Sequence, residues 1–188
     1  MWLAGLGVLL FALVVSSAWN RAAMTTVFVV RHAEKAVDGT KDPALSAAGV
    51  AHAARYASLF AGGRGAGGEA SDRDSEVGSG PARGPRLAAI YATEFKRTRQ
   101  TAEAVARPLG LQVQALPAKD SAELVRHIKR YHRGASVLVV GHSNTVPDII
   151  QALGGRQVAP IDDADYSRLY VVSVGLFSRT TVTELALP

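Results

Sequence analysis

Four consecutive apolar residues, Val27-Phe28-Val29-Val30, run straight into a cation and an imidazole, Arg31 and His32. A mostly β-branched apolar run this short reads as a buried strand rather than a helix. The same pattern recurs at Leu87 to Tyr91, which ends at Ala92-Thr93, and at Ser136 to Val140, which ends at Gly141-His142-Ser143-Asn144. Strands that are apolar throughout belong in parallel sheets covered on both faces, with ligand-facing groups just past their carboxyl ends. This alternation of buried strands with helical stretches constrains the fold more than any other feature of the chain.

The intervening segments fit that frame. After Asp42-Pro43-Ala44-Leu45, Ser46 is a good N-cap for an alanine-rich helix to about Phe60. Thr93 is the expected N-cap of a helix over Glu94 to about Arg107, stopped by Pro108 and Gly110. Leu111 to Leu116 read as a third strand. Asp120 or Ser121 opens a helix to about Arg133, with Leu124, Val125 and Ile128 on its apolar face. A helix follows Thr145 through Leu153, then a Pro/Asp-rich loop from Ala159 to Asp165. Strands at Arg168 to Val174 and Thr180 to Leu187 close the chain. The expected architecture is a three-layer α/β/α domain with a mainly parallel sheet. His52 lies on a helical stretch where a lone histidine is ordinarily packed or solvated, His127 and His132 are expected to be solvated without partners, and no role is assigned to any of the three.

Two segments fall outside this domain, which spans residues 24–188. Trp2 to Trp19 carry no charge and are rich in Leu, Val, Ala and Gly. The run suits a signal-peptide core and is just long enough to span a bilayer. Residues 1–23 are therefore expected to be a signal peptide or membrane anchor, giving a periplasmic, secreted or membrane-anchored protein. The alternative is an unused upstream extension with Met24 as the true start, and then a cytoplasmic protein. Residues 62–85 are rich in Gly, Ser, Ala, Arg, Asp and Glu and lack any hydrophobic period, so they read as a disordered insertion.

Composition narrows the chemistry. Hydrophobic residues make up 48% of the 188 and charged residues 20%, the balance of a globular protein. There are no cysteines, which removes disulfides, thiolate metal sites, iron–sulfur clusters and cysteine nucleophiles. A net charge of +5 and a pI near 9.8 favour anionic partners. The basic residues form no Lys/Arg-rich run and no nucleic-acid motif, so small phosphorylated substrates or phosphoproteins account for the charge better than nucleic acid.

Three strand ends carry the polar groups: Arg31-His32, the turn leading to Arg97 and Arg99, and His142-Ser143-Asn144. In a parallel sheet they lie on one edge and can meet around one ligand. Two imidazoles with at least two guanidiniums suit a phosphoryl group, the arginines neutralising its oxygens while one histidine attacks phosphorus.

The segments Arg31-His32-Ala33-Glu34-Lys35, Thr93-Glu94-Phe95-Lys96-Arg97-Thr98-Arg99-Gln100-Thr101-Ala102 and Val139-Val140-Gly141-His142-Ser143-Asn144-Thr145-Val146-Pro147 occur in that order. Together they resemble the histidine phosphatase superfamily, which includes phosphoglycerate mutase-like enzymes and bacterial phosphohistidine phosphatases. The match runs from about Thr25 to about Leu153, and Asp42 to Gly49 also resembles a family segment. The resemblance implies a phosphatase of a phosphoglycerate mutase-like fold, acting on a phosphomonoester or phosphohistidine. His32 would be the nucleophile and form a phosphohistidine intermediate. Arg31 and Arg97 would clamp the phosphate, and His142 would stabilise the transferring group. Arg99 is off the matching position. For the proton donor the expected residue is Asp120, with Glu123 or Glu34 as alternatives. No metal and no cofactor are implied.

Three rival readings are distinguishable. Gly141-His142-Ser143 resembles the nucleophile elbow of an α/β-hydrolase, but Thr145 stands where glycine is needed and no histidine follows His142. A catalytically silent phosphate-binding domain on the same fold would have no need of a nucleophile. A phosphomutase would need an enclosing lid, and the only long insertion is the Gly/Ser-rich one.

Overall fold

The computed structural model describes residues 24–61, 85–175 and 178–187. The expected leader or anchor at 1–23, and the expected insertion apart from Pro85, lie outside the described residues. Strands β1 (Thr25–Arg31), β2 (Leu87–Thr93), β3 (Val113–Leu116), β4 (Ser136–Gly141), β5 (Arg168–Val174) and β6 (Thr181–Ala186) alternate with helices α1 (Ala47–Ala61), α2 (Lys96–Leu109), α3 (Ser121–Tyr131) and α4 (Thr145–Ala152). The strands form one sheet in the order β3-β2-β4-β1-β5-β6. Among the described residues no helix is long and apolar enough to cross a membrane.

Alternation along each strand sends successive side chains to opposite faces, so the sheet has two cores. Val27 and Val29 of β1, Val137 and Val139 of β4, and Tyr170 and Val172 of β5 face Leu124, Val125 and Ile128 of α3 and Val146, Ile149 and Ile150 of α4. Phe28, Val30, Leu138 and Val140 face the other way, onto Tyr56 and Phe60 of α1 and Ala102, Val105 and Ala106 of α2. The three-layer arrangement is therefore present. Burying each of these valines or aromatics contributes about 1.5–3 kcal/mol, and the helices present matching rows three and four residues apart.

The sheet is mixed, not mainly parallel as expected. β1–β4, β2–β4 and β2–β3 pair in parallel, whereas β1–β5 and β5–β6 pair antiparallel. The cause lies in the connection after α4. It carries no helix, buries Val158 and Ile161 in the core, and crosses to the carboxyl edge before β5 begins. β5 therefore enters from the site end of the sheet, and residues 162–166 arrive beside β1.

One helix start agrees with expectation and one differs. The Ser46 hydroxyl accepts from the Gly49 amide, a side-chain cap at the head of α1. Thr93 does not cap α2. Phe95 stands at that position, and the Asp42 carboxylate, from a distant loop, accepts from the Lys96 amide at 3.0 Å. Pro108 is accommodated within the last turn of α2, and Gly110 ends it at φ 67°. His132, expected to be solvated, instead has its Nε2 2.6 Å from the Tyr91 hydroxyl.

Candidate active site

Register places three strand ends at one level. Arg31 pairs with Gly141 and Ala92 with Val140, so His32, His142 and Thr93 emerge side by side. The His32 amide donates to the Gly141 carbonyl at 2.9 Å, tying the two histidine-bearing loops together.

His32 is 3% exposed and tightly oriented. Its Nδ1–H donates to the Ala33 carbonyl at 2.7 Å. The Ala33 amide in turn donates to Thr101 Oγ1 at 3.0 Å, and that hydroxyl donates to the Arg97 carbonyl at 2.8 Å. With Nδ1 carrying the proton, Nε2 keeps its lone pair, and the Arg97 Nε–H donates to it at 3.2 Å. His142 lies alongside, its ring centroid 5.3 Å from that of His32. The Arg97 Nη2 reaches the His142 Nδ1 at 3.4 Å, and the His142 Nε2 is 2.9 Å from Thr93 Oγ1.

Burial and cations hold both imidazoles neutral. His32 is lowered to about 3, chiefly by loss of hydration, with His142, Arg97 and Arg31 adding to the fall and the Ala33 carbonyl opposing it. His142 is lowered to about 4, again chiefly by burial and then by Arg97, while Glu94 and Asp42 pull the other way. Two neutral imidazoles beside two guanidiniums make a cluster whose field attracts an anion.

Arg31 is buried and spends most of its fork on the loop before β5. Nη1 donates to the carbonyls of Asp162 at 2.7 Å and Asp165 at 3.1 Å, and Nη2 to the Asp163 carboxylate at 3.2 Å. The Tyr166 ring packs 4.3 Å from its guanidinium carbon. The Arg31 Nε is buried and has no hydrogen-bond partner among the described residues, leaving one N–H for a guest acceptor.

Arg31, His32, Arg97 and His142 thus come together. The three candidate donors do not share one place. Glu123 pairs with Arg126 on the surface of α3. Glu34 accepts from His52 Nδ1 at 3.1 Å, turned toward α1. Asp120 heads α3 and lines a small cleft with Thr93, Leu116 and Thr145. Arg99 points away, toward Glu103. His52, given no role on sequence, is buried against Tyr56 and held by Glu34. Among the described residues no three His, Asp or Glu side chains converge as a metal site.

Several polar contacts escape sequence reasoning. Thr93, Thr98 and Thr101 are buried hydroxyls, and only the spacing of Thr98 and Thr101 on the inward face of α2 hints at them. Asp162, Asp163 and Asp165 lie in a loop read as a connection, although three carboxylates within four residues stand out in a basic chain. Asp42, 3.6 Å from Arg97, fell in the family-like segment without a stated role.

The fold is that of histidine phosphatases of the phosphoglycerate mutase-like kind. A protein histidine phosphatase SixA, solved with tungstate, superposes with a TM-score of 0.60 at 19% identity, covering 86% of this chain and 96% of that one. A mycobacterial glucosyl-3-phosphoglycerate phosphatase gives 0.61 at 13% identity, covering 88% and 100%. No family model matches the sequence, and no curated protein does.

Proposed function

We propose that the chain is a phosphatase that hydrolyses a phosphomonoester or a phosphohistidine through a phosphohistidine on His32. The observation that carries this reading is the orientation of His32: its Nδ1–H is committed to the Ala33 carbonyl, so Nε2 offers its lone pair beside Arg97 and His142. In the first step Nε2 attacks phosphorus, a P–N bond forms, and the bond to the leaving group breaks with its electron pair going to the leaving atom. The arginines and His142 neutralise the phosphoryl oxygens. Asp120 gives the leaving group its proton. Water then attacks the phosphohistidine, returns the proton to Asp120, and the P–N electron pair goes back to His32. The substrate is a small phosphorylated molecule or a phosphoprotein, and the fold shared with SixA and with a glucosyl-3-phosphoglycerate phosphatase supports both kinds equally.

Single-turnover labelling with a generic phosphate monoester at mildly acidic pH tests the reading, comparing the full chain with His32→Ala. The expected result is an acid-labile, base-stable phosphoenzyme in the wild type alone. Equal turnover in both proteins would remove His32 as nucleophile. Phosphate binding without turnover in either would assign the chain as a silent phosphate-binding domain.

A further inference from the structure

We infer that Thr93, its hydroxyl turned by Thr98, fixes the tautomer of His142 and is a positioning residue for the reaction. This rests on the phosphatase reading above but is argued from hydrogen-bond directions alone. Thr98 Oγ1 has one proton, and two carbonyls accept it: Phe95 at 2.8 Å and Thr93 at 3.1 Å. The two hydroxyls lie 2.7 Å apart and either can donate; with the Thr98 proton on a carbonyl, Thr98 accepts from Thr93. Thr93 spends its own proton on Thr98 and meets His142 Nε2, at 2.9 Å, with a lone pair. In that arrangement His142 carries its proton on Nε2.

The other end of the ring gives the same answer independently. Arg97 can only donate, and its Nη2 faces the His142 Nδ1 at 3.4 Å. A proton on Nδ1 would set two N–H groups against each other. The wall behind the ring is also fixed: the His142 amide donates to Thr145 Oγ1 at 2.8 Å, and the Phe95 ring stands edge-on at 5.2 Å. Thr93 and Thr98 are 7% and 0% exposed, so no solvent competes for these bonds.

The consequence is chemical. A phosphate monoester near pH 6 still carries a proton on part of its population. When it binds, its negative charge beside the ring favours the imidazolium and its oxygens draw Arg97 away, so that proton can pass to the His142 Nδ1, the nitrogen of the ring that carries the lone pair. The imidazolium then donates from Nδ1 to a phosphoryl oxygen while Nε2–H stays on Thr93. The opposite tautomer would place the basic nitrogen against Thr93, away from the substrate.

The test combines side-chain ¹⁵N spectroscopy of His142 in the full chain with turnover of a generic phosphate monoester. Wild type is expected to show a protonated Nε2 and a bare Nδ1. Thr93→Ser, which keeps the hydroxyl, should retain that signature and hold kcat within about threefold. Thr93→Val should mix the tautomers and lower kcat about 10- to 100-fold with little change in KM. Thr98→Val removes the acceptor, frees the Thr93 proton to turn toward His142, and should shift the tautomer even if Thr93→Val fails to fold. A wild-type Nδ1–H tautomer, or an unchanged tautomer in Thr98→Val, overturns the inference. Absence of turnover in wild type would instead count against the phosphatase reading, and the ¹⁵N signature would still decide the role of Thr93.

Discussion

The Nε–H of Arg97 rests on the Nε2 of His32, 3.2 Å away, so the guanidinium that would bind phosphate covers the lone pair that would attack it. The bond is to a neutral acceptor. Phosphate oxygens are charged acceptors and bind guanidinium more strongly, so a bound phosphoryl group draws Arg97 off the imidazole. The guest would thereby uncover the His32 lone pair.

Replacing Arg97 by Lys keeps the charge but loses the planar fork, which serves His32, His142 and Asp42 together. Arg97→Lys is expected to lower kcat/KM about 100-fold or more and to weaken inhibition by inorganic phosphate. Steady-state kinetics with phosphate as inhibitor checks both. Retention of wild-type kcat/KM would show that charge alone suffices.

Stability should fall as the pH drops. His32 and His142 are lowered to about 3 and about 4 in the folded chain, whereas an unfolded histidine titrates near 6.5. Between about pH 6.5 and pH 4 the unfolded chain binds protons that the folded chain refuses, so unfolding gains ground as acid is added. Above about pH 7 this contribution is complete and flat. Urea denaturation at pH 7.5 and pH 5 should show the loss, and His32→Asn should reduce it. An unaltered pH dependence in that variant would refute the assignment.

Gly49 is required by contact rather than by backbone conformation. A Cβ there would meet the Glu34 carbonyl oxygen at 2.1 Å and its nitrogen and carbon at 3.0 Å. Glu34 lies two residues past His32, so any shift passes to that imidazole. Alanine favours a helix by about 0.8–1.0 kcal/mol over glycine, but overpacking against backbone costs about 1–3 kcal/mol. Gly49→Ala should lower both the urea midpoint and turnover, whereas Val50→Ala, at an exposed neighbour, should leave turnover unchanged.

Arg31 holds the loop before β5 as well as standing next to His32. Removing it as Arg31→Met leaves the carbonyls of Asp162 and Asp165 without their donor, a loss of about 2–4 kcal/mol. Asp163→Asn should change stability by less than about 1 kcal/mol, because that carboxylate is 93% exposed. Thermal unfolding of the two variants separates the roles; equal losses would mean that the ion pair, not the carbonyl bonds, secures the loop.

What the sequence disclosed follows from how local each signal is. The apolar runs Val27 to Val30 and Val137 to Val140 announce buried strands by composition alone, and residues just past their ends must share an edge. Arg31, His32 and His142 were legible for that reason. The antiparallel direction of β5 is not legible, because orientation depends on the path of a helix-free connection, which leaves no periodic trace. Thr93 reads as a helix cap by local preference, yet tertiary contact gives its hydroxyl to His142, and Asp42 supplies the α2 amide from more than fifty residues away. Glu34 is close to His32 in sequence but turns behind it to His52, because position along a loop does not fix the face a side chain takes.

The proton donor is the remaining discriminating experiment. Asp120 shares a cleft with Thr93, the residue that touches His142. Glu94 is the competing acid: it is exposed, its carboxylate accepts from the Ala118 amide at 2.8 Å, and its charge acts on both His142 and Arg97. A donor matters in proportion to the basicity of the leaving group, so two substrates tell the acids apart. With an alkyl phosphate, Asp120→Asn is expected to lower kcat about 10²-fold or more, and with a nitrophenyl phosphate much less. Glu94→Gln should affect both substrates alike and only slightly, as the loss of a rim charge. The reverse pattern would transfer the role to Glu94. Equal, small effects of both variants on both substrates would mean that the leaving group departs without a proton from the protein, as the nitrogen of a phosphohistidine can when it is already protonated.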